Sequence, residues 1–301
     1  MRHGKYPFII GFLAVPVALY AIFVVGAYLQ MFRLSLTDWT GYGTFKDIGF
    51  DNFVKLWNDP VIWTALRHNA YLLLVMPLAT IAIALLFAFL LNVGGGSKGG
   101  MTRGVWGSKV YRVVFFFPQL LALALVAVIF QRVYGPDKSG MINGLLPDSW
   151  EPWLFLADEN WALTCILIVL VWQAVGFYVV LFSAGMGSIG QEIYEAAALD
   201  GANRITLFFK ITMPLLWGNI QVAWIYLGIA AFDAFALVNI MTVNQGGPNN
   251  STQVLSMQIY LNAFKYSQAG YASAIGVVLF FLALSFAWLT LRVTRRDSVE
   301  A

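Results

Sequence analysis

The sequence predicts an all-α, polytopic membrane protein with six transmembrane helices, and three observations carry that expectation. Of 301 residues, 60% are hydrophobic and only 11% charged, so the chain lacks the polar surface a soluble globule presents to water. Its apolar residues gather into stretches of about 20, the length that crosses the hydrocarbon core of a bilayer. Lysine and arginine concentrate in alternate connections between those stretches, as membrane topology requires.

Taken in order, the spans are expected at 8–31, 71–91, 113–133, 163–184, 215–241 and 272–291, forming one transmembrane domain over 1–301. Arg2 and Lys5 precede the first, and no small-residue cleavage site follows it, so it reads as an uncleaved span. Pro16, Pro77 and Pro118 fall inside the first three, where bilayer helices tolerate proline and kink. The start, the second loop, the loop after span four and the tail hold 11 of the 18 basic residues, among them Lys98, Arg103, Lys109, Arg112, Arg204 and Lys210. The opposite loops hold nine of the 15 acids. Both termini, and the segment 187–214, are thereby placed on the cytoplasmic side.

Several function classes are disfavoured. A net charge of +3, scattered beside apolar spans, does not suggest nucleic acid. Cys165 is the single cysteine, which rules out an intrachain disulfide, and His3 and His68 are too few and too far apart for zinc. The stretch VGGGSKGGMTRG, Val93 to Gly104, has glycines and a lysine but not phosphate-loop spacing: Lys98 follows Ser97 and precedes Gly99. It reads as a flexible linker, so any ATP would be bound by another chain. With no nucleophile and base pair and no paired carboxylates at membrane depth, the chain is not expected to be an enzyme.

Polar residues in oily surroundings are the candidates for function. Asp233 is the one acid within a span, where it either faces a cavity or sits hydrated near the outer interface. Tyr226, Ala230, Asp233 and Leu237 share one helical face in an unbroken span five, and Gln173 and Phe177 share another in span four. Either set could line a cavity or simply pack helices. The outer loops are rich in aromatics, Trp39, Tyr42, Trp57, Trp63, Trp150, Trp153 and Trp161 among them, which suits an interfacial belt or a docking surface for an outside partner.

The segment from Gln191 to Pro214 divides at Asp200-Gly201, a turn or C-cap signal. A first helix over Gln191 to Leu199 is expected before it. Asn203 is placed to cap a second, in which Ile205, Phe208, Phe209 and Met213 recur near helical spacing, and Pro214 separates that helix from span five. Such an amphipathic hairpin either lies on lipid headgroups or inserts into a groove on another protein.

Glu195 to Pro214, EAAALDGANRITLFFKITMP, resembles the EAA loop of binding-protein-dependent ABC importer permeases, with the acid-Ala-Ala opening, a glycine six residues on, and a closing Ile-x-x-Pro. IGFDNFVKLWNDPVIWTALRHN, Ile48 to Asn69, and MTVNQGGPNNST, Met241 to Thr252, are similar to segments of the carbohydrate-importing branch, typified by maltose and glycerol-phosphate permeases. Gly190 departs from the proline usual before the EAA helix. The resemblance implies half of a membrane pore in a bacterial or archaeal inner membrane, moving a sugar or oligosaccharide by alternating access. It implies a second permease, two ABC ATPases that bind ATP and Mg, and an extracytoplasmic solute-binding protein, with no cofactor in this chain. Glu195, Ala196, Ala197, Asp200, Gly201, Phe208, Phe209 and Pro214 would then couple to the ATPase, and Gln173, Phe177 and Asp233 would bind substrate. An ion-coupled secondary transporter or a membrane scaffold subunit stands as the alternative, the former requiring Asp233 to titrate or bind a cation during transport.

Overall fold

The structure, a computed structural model, describes residues 5–92 and 107–293, so the glycine-rich stretch at 93–104 lies wholly outside the described residues. Among those residues the regular structure is helical, apart from one antiparallel bridge between Thr37 and Asp47. Two compact units emerge, one from the first 63 residues with 258–281, the other from 64–257 with the remainder of the C-terminal helix.

In the first unit the helix Ile9–Leu34 is apolar all round, and the chain itself buries none of its most hydrophobic stretch. Pro16 lies inside the helix Lys5–Tyr20, and a π-helical segment, Ala21–Val25, begins five residues past it. The first outer loop is folded rather than loose. Buried Asn52, on the helix Asp51–Asn58, donates to the carbonyls of Ser35 and Thr37 at 2.9 and 2.8 Å, so one amide satisfies two loop acceptors. The Tyr271 hydroxyl donates to Asp59 at 3.0 Å, and Phe32 meets Phe280 and Phe281 edge-on. Tyr42, Phe50 and Trp57 stay exposed on this frame.

Spans two and four are unbroken helices, Pro60–Asn92 and Ala162–Gly187, the former belonging to the second unit from Thr64 onward. Span two starts at Pro60 rather than Tyr71, because proline suits a helix's first turn and Asp59 Oδ1 accepts from the Val61 amide at 2.9 Å. Pro77 leaves it continuous. The last span covers Ala269–Val293.

Spans three and five depart from the expected continuous helices. Span three divides into Ser108–Leu120 and Leu123–Val133, bent by 96° at Leu121-Ala122, three residues past Pro118. Span five divides at Asp233-Ala234 into Trp217–Phe232 and Phe235–Met241, and its start is bent by 71° from the preceding helix. Pro214 does not separate the hairpin from span five: it lies within helical chain, and the bend comes at Leu216. Close packing holds the broken spans. A Cβ at Gly176 would sit 1.7 Å from the Phe115 carbonyl oxygen, so only glycine allows span four to touch the backbone of span three.

Candidate functional site

Bending a helix at membrane depth frees backbone polar groups where water is scarce, so other groups must satisfy them. Amide side chains from neighbouring helices do this here. Gln173 of span four donates to the Leu121 carbonyl, at the break in span three, at 3.3 Å. Asn69 of span two, 1% exposed, donates to the Ala231 carbonyl beside the break in span five and accepts from the Leu255 amide at 2.8 Å. Gln131 donates to the Ile240 carbonyl.

Between the broken spans lies a cavity of about 370 Å³. Gln173, Phe177 and Tyr178 enter from span four, Gln119 and Leu123 from either side of the break in span three, and Tyr226, Ala230 and Asp233 from span five. The three residues expected to bind substrate therefore meet at one cavity. Its walls combine aromatic faces with amide, hydroxyl and carboxylate groups in a mostly apolar lining, the composition of a small-solute pocket. The Asp233 carboxylate is exposed to it and makes no hydrogen bond or ion pair with the described residues. The expected four-residue face is cut short: Tyr226, Ala230 and Asp233 line the cavity, whereas Leu237, in the helix beyond the break, is fully buried. Sequence reasoning missed Gln119 and Tyr178 on the walls, and Asn69 and Gln131 behind them. The available signal was an amide side chain inside an oily helix, which needs a partner.

The hairpin between spans four and five is built from local rules. Its first helix is Gln191–Leu199, as expected. Gly190 occupies the N-cap with an extended backbone and no capping side chain, and the Glu192 carboxylate folds back over it. At the other end Gly201 has φ +80°, the left-handed conformation glycine adopts freely. The Ala202 amide reaches the Ala197 carbonyl at 2.9 Å and the Gly201 amide reaches Ala198 at 3.1 Å, the pair of bonds that closes a Schellman cap. Asn203 then caps the second helix, its Oδ1 accepting from the Thr206 amide at 2.8 Å.

The second helix is π-helical over Leu207–Thr212, which shifts the expected apolar face. Leu207 and Thr212 turn inward instead, while Ile205 and Phe209 are exposed and Phe208 is half-buried, its ring edge-on to Phe89 at 5.0 Å. The Tyr194 hydroxyl meets the Thr212 hydroxyl at 3.2 Å and fastens the two helices together, a contact the sequence did not signal. Burial raises the Tyr194 pKa above its ordinary value and the bond to Thr212 partly offsets this, so the phenol stays neutral at physiological pH. Glu195 accepts from Gln191 at 2.9 Å. Ala196, Asp200 and Pro214 are exposed and Ala197 is half-buried. Leu199, 89% exposed at the turn, is the most prominent apolar side chain of the hairpin and was not singled out from the sequence.

Residues 65–297 match the family described as the binding-protein-dependent transport system inner membrane component. The chain belongs to that family. It is 40% identical, over 98% of its own length and 84% of the relative's, to the diacetylchitobiose uptake system permease protein of Streptomyces coelicolor. It is 32% identical to the multiple sugar-binding transport system permease protein of Streptococcus mutans, covering 96% of this chain and 95% of that one. Among solved structures, a bacterial ABC transporter involved in importing the acidic polysaccharide alginate superposes with a TM-score of 0.80 at 20% identity, over 98% of this chain and 97% of that one. That similarity shows a shared fold. This inner membrane component is thus a transmembrane permease subunit of an ABC importer.

Proposed function

We propose that this permease carries a sugar or short oligosaccharide through the cavity bounded by Gln173, Phe177, Tyr226 and Asp233, as half of a pathway completed by a second permease. The convergence of these side chains at the breaks of spans three and five carries the reading, because a sugar is held by stacking on an aromatic face and by hydrogen bonds to its hydroxyls. The sugar permeases at 40% and 32% identity support the substrate class. With both termini cytoplasmic, the exposed Leu199, Ile205 and Phe209 of the EAA loop face the ATPases. These hold ATP and Mg, and their closure moves the hairpin and, through it, span five. The whole chain acts as one transmembrane domain without catalysis of its own, fed by an extracytoplasmic binding protein.

The test is uptake of radiolabelled diacetylchitobiose, the first solute to try, by the permeases reconstituted in liposomes with their ATPases and binding protein. Phe177→Ala and Asp233→Asn should each weaken uptake roughly tenfold, a loss of about 1.4 kcal/mol, with ATP hydrolysis in the absence of binding protein unchanged. Uptake that continues without ATP under an ion gradient, and that Asp233→Asn abolishes, would sink this reading in favour of a secondary transporter.

A further inference from the structure

A second hollow in the same unit has a different chemistry. It is a groove of about 710 Å³ between spans two, three and four, lined by Ile83, Phe87, Phe115, Phe117, Ile168 and Trp172 among other apolar residues. Span four separates it from the solute cavity: Ile168, Trp172 and Val175 face the groove, whereas Leu170, Gln173 and Phe177 face the cavity. Phe87 and Phe115 stack at 4.7 Å within its wall, and Ile168 and Phe117 lie more than half exposed.

Beside one end of the groove stands Arg112, two residues before Val114 and three before Phe115. The side chain is half-buried, and one Nη donates to Asn92 Oδ1 at 2.6 Å. Asn92 in turn donates to the Ala88 carbonyl and the Ser183 hydroxyl. Asn92 ends its helix, Arg112 sits in the second turn of the next, and Ser183 is in the last turns of span four, so all three lie toward the same ends of their spans. The ends of membrane spans are where a bilayer presents its headgroups. Phe87, five residues before Asn92, is about 7.5 Å deeper along the helix. Among the described residues Arg112 has no carboxylate partner, and its Nε is buried without an acceptor. The connection before it carries Lys98 and Arg103 and no acid. A cation without an anion at the mouth of an apolar groove matches a molecule that joins an anion to a hydrocarbon chain.

We propose that this groove and Arg112 form a binding site for one anionic phospholipid, its phosphate on the guanidinium and an acyl chain along Phe87, Phe115 and Ile168. Arginine suits this role, since its planar fork keeps donors free for phosphate after the bond to Asn92. Charge selects this occupant over a helix of the second permease: an apolar helix would fill the groove and leave Arg112 without a counter-charge. The assignment does not depend on the solute being a sugar.

The test uses the assembled transporter in mixed micelles containing phosphatidylglycerol or phosphatidylcholine with a photoreactive acyl chain. Phosphatidylglycerol should label peptides from 108–120 and 162–187. Phosphatidylcholine should label them roughly fivefold less, the factor set by one arginine at an anionic surface. Arg112→Gln should lower phosphatidylglycerol labelling by a similar factor, and Arg112→Lys should retain most of it. Ile168→Trp, which adds bulk at an exposed groove position, should displace the label while leaving the assembly intact by size-exclusion chromatography. Should Arg112→Gln fail to assemble, the comparison of the two lipids on the unaltered protein decides. Equal labelling by both lipids, or cross-links from the groove to another permease subunit in place of lipid, overturns the proposal.

Discussion

The hairpin between spans four and five and the cavity between the broken spans are two polar places in an oily chain, and they are held together in opposite ways. In the hairpin the capping bonds run between near neighbours, Ala202 to Ala197, Gly201 to Ala198 and Thr206 to Asn203, and the bond that joins its two helices, Tyr194 to Thr212, spans only 18 positions. Around the cavity the supporting bonds join residues 52, 109, 162 and 186 positions apart, those of Gln173, Gln131 and the two of Asn69. The hairpin is therefore a local device whose shape survives movement of its surroundings, which suits a part that transmits motion. The cavity is a property of packed spans, and damage to one support reaches several of them.

The largest expected effect tests the cavity side of that contrast. Asn69→Leu keeps the branched side chain of four heavy atoms but leaves the Leu255 amide and the Ala231 carbonyl without their partner in a buried place. At about 1–3 kcal/mol for each buried unsatisfied group, the loss should be about 3 kcal/mol. Thermal unfolding in detergent should show a clear fall in midpoint, and hydrogen exchange should accelerate in spans two and five and in the segment around Leu255 together. Acceleration confined to the immediate neighbours of position 69 would break the contrast, since the support would then be as local as the hairpin's.

The same contrast explains what could be read from the sequence. Asp200-Gly201 and Asn203 announce the hairpin because the caps they form need only residues a few positions away, and both helices begin and turn where those residues stand. The six apolar stretches announce the spans because hydrocarbon thickness fixes their length. The break at Asp233-Ala234 was illegible: Ala230 to Phe235 contains no proline or glycine, and the freed Ala231 carbonyl is met by Asn69 from another span. Pro118 signalled an irregularity in span three but not one of 96°, for Gln173 makes the freed carbonyl tolerable. Gln173 and Asp233 could be picked out as polar groups at membrane depth, yet their meeting at one cavity follows from the breaks in spans three and five. The π-helical register of Leu207–Thr212 was hidden too, since it turns on the Thr212 hydroxyl donating back to the Leu207 carbonyl at 3.1 Å.

A smaller effect is expected at Gly201, where the cause is conformational alone. No atom lies within 4 Å of the position a Cβ would take, so side-chain size should not matter within this chain. Gly201→Ala and Gly201→Leu should destabilise the cap by the same amount, about 1–2 kcal/mol for a left-handed residue, with Gly201→Asn milder. Exchange of the Ala202 amide, bonded to Ala197, should rise roughly 5- to 30-fold in both of the first two variants. A larger loss for leucine in the assembled transporter than in the isolated permease would sharpen the picture, for the added bulk would be meeting the ATPase.

The smallest effect belongs to Asn203→Ala. The cap is exposed, so water can replace Oδ1 on the Thr206 amide, and the cost should stay near 1 kcal/mol. Exchange at Thr206 should rise roughly fivefold, and Asn203→Ser should restore most of the protection. Because the capping bond spans three residues, the cavity between the broken spans should be unaffected in the isolated permease. Coupling between two sites passes through an element with two arrangements, and a frayed cap alone does not choose between them. A change in solute binding by Asn203→Ala without ATPase present would therefore refute the separation of the two polar regions, and would make the start of the second hairpin helix part of the element that moves.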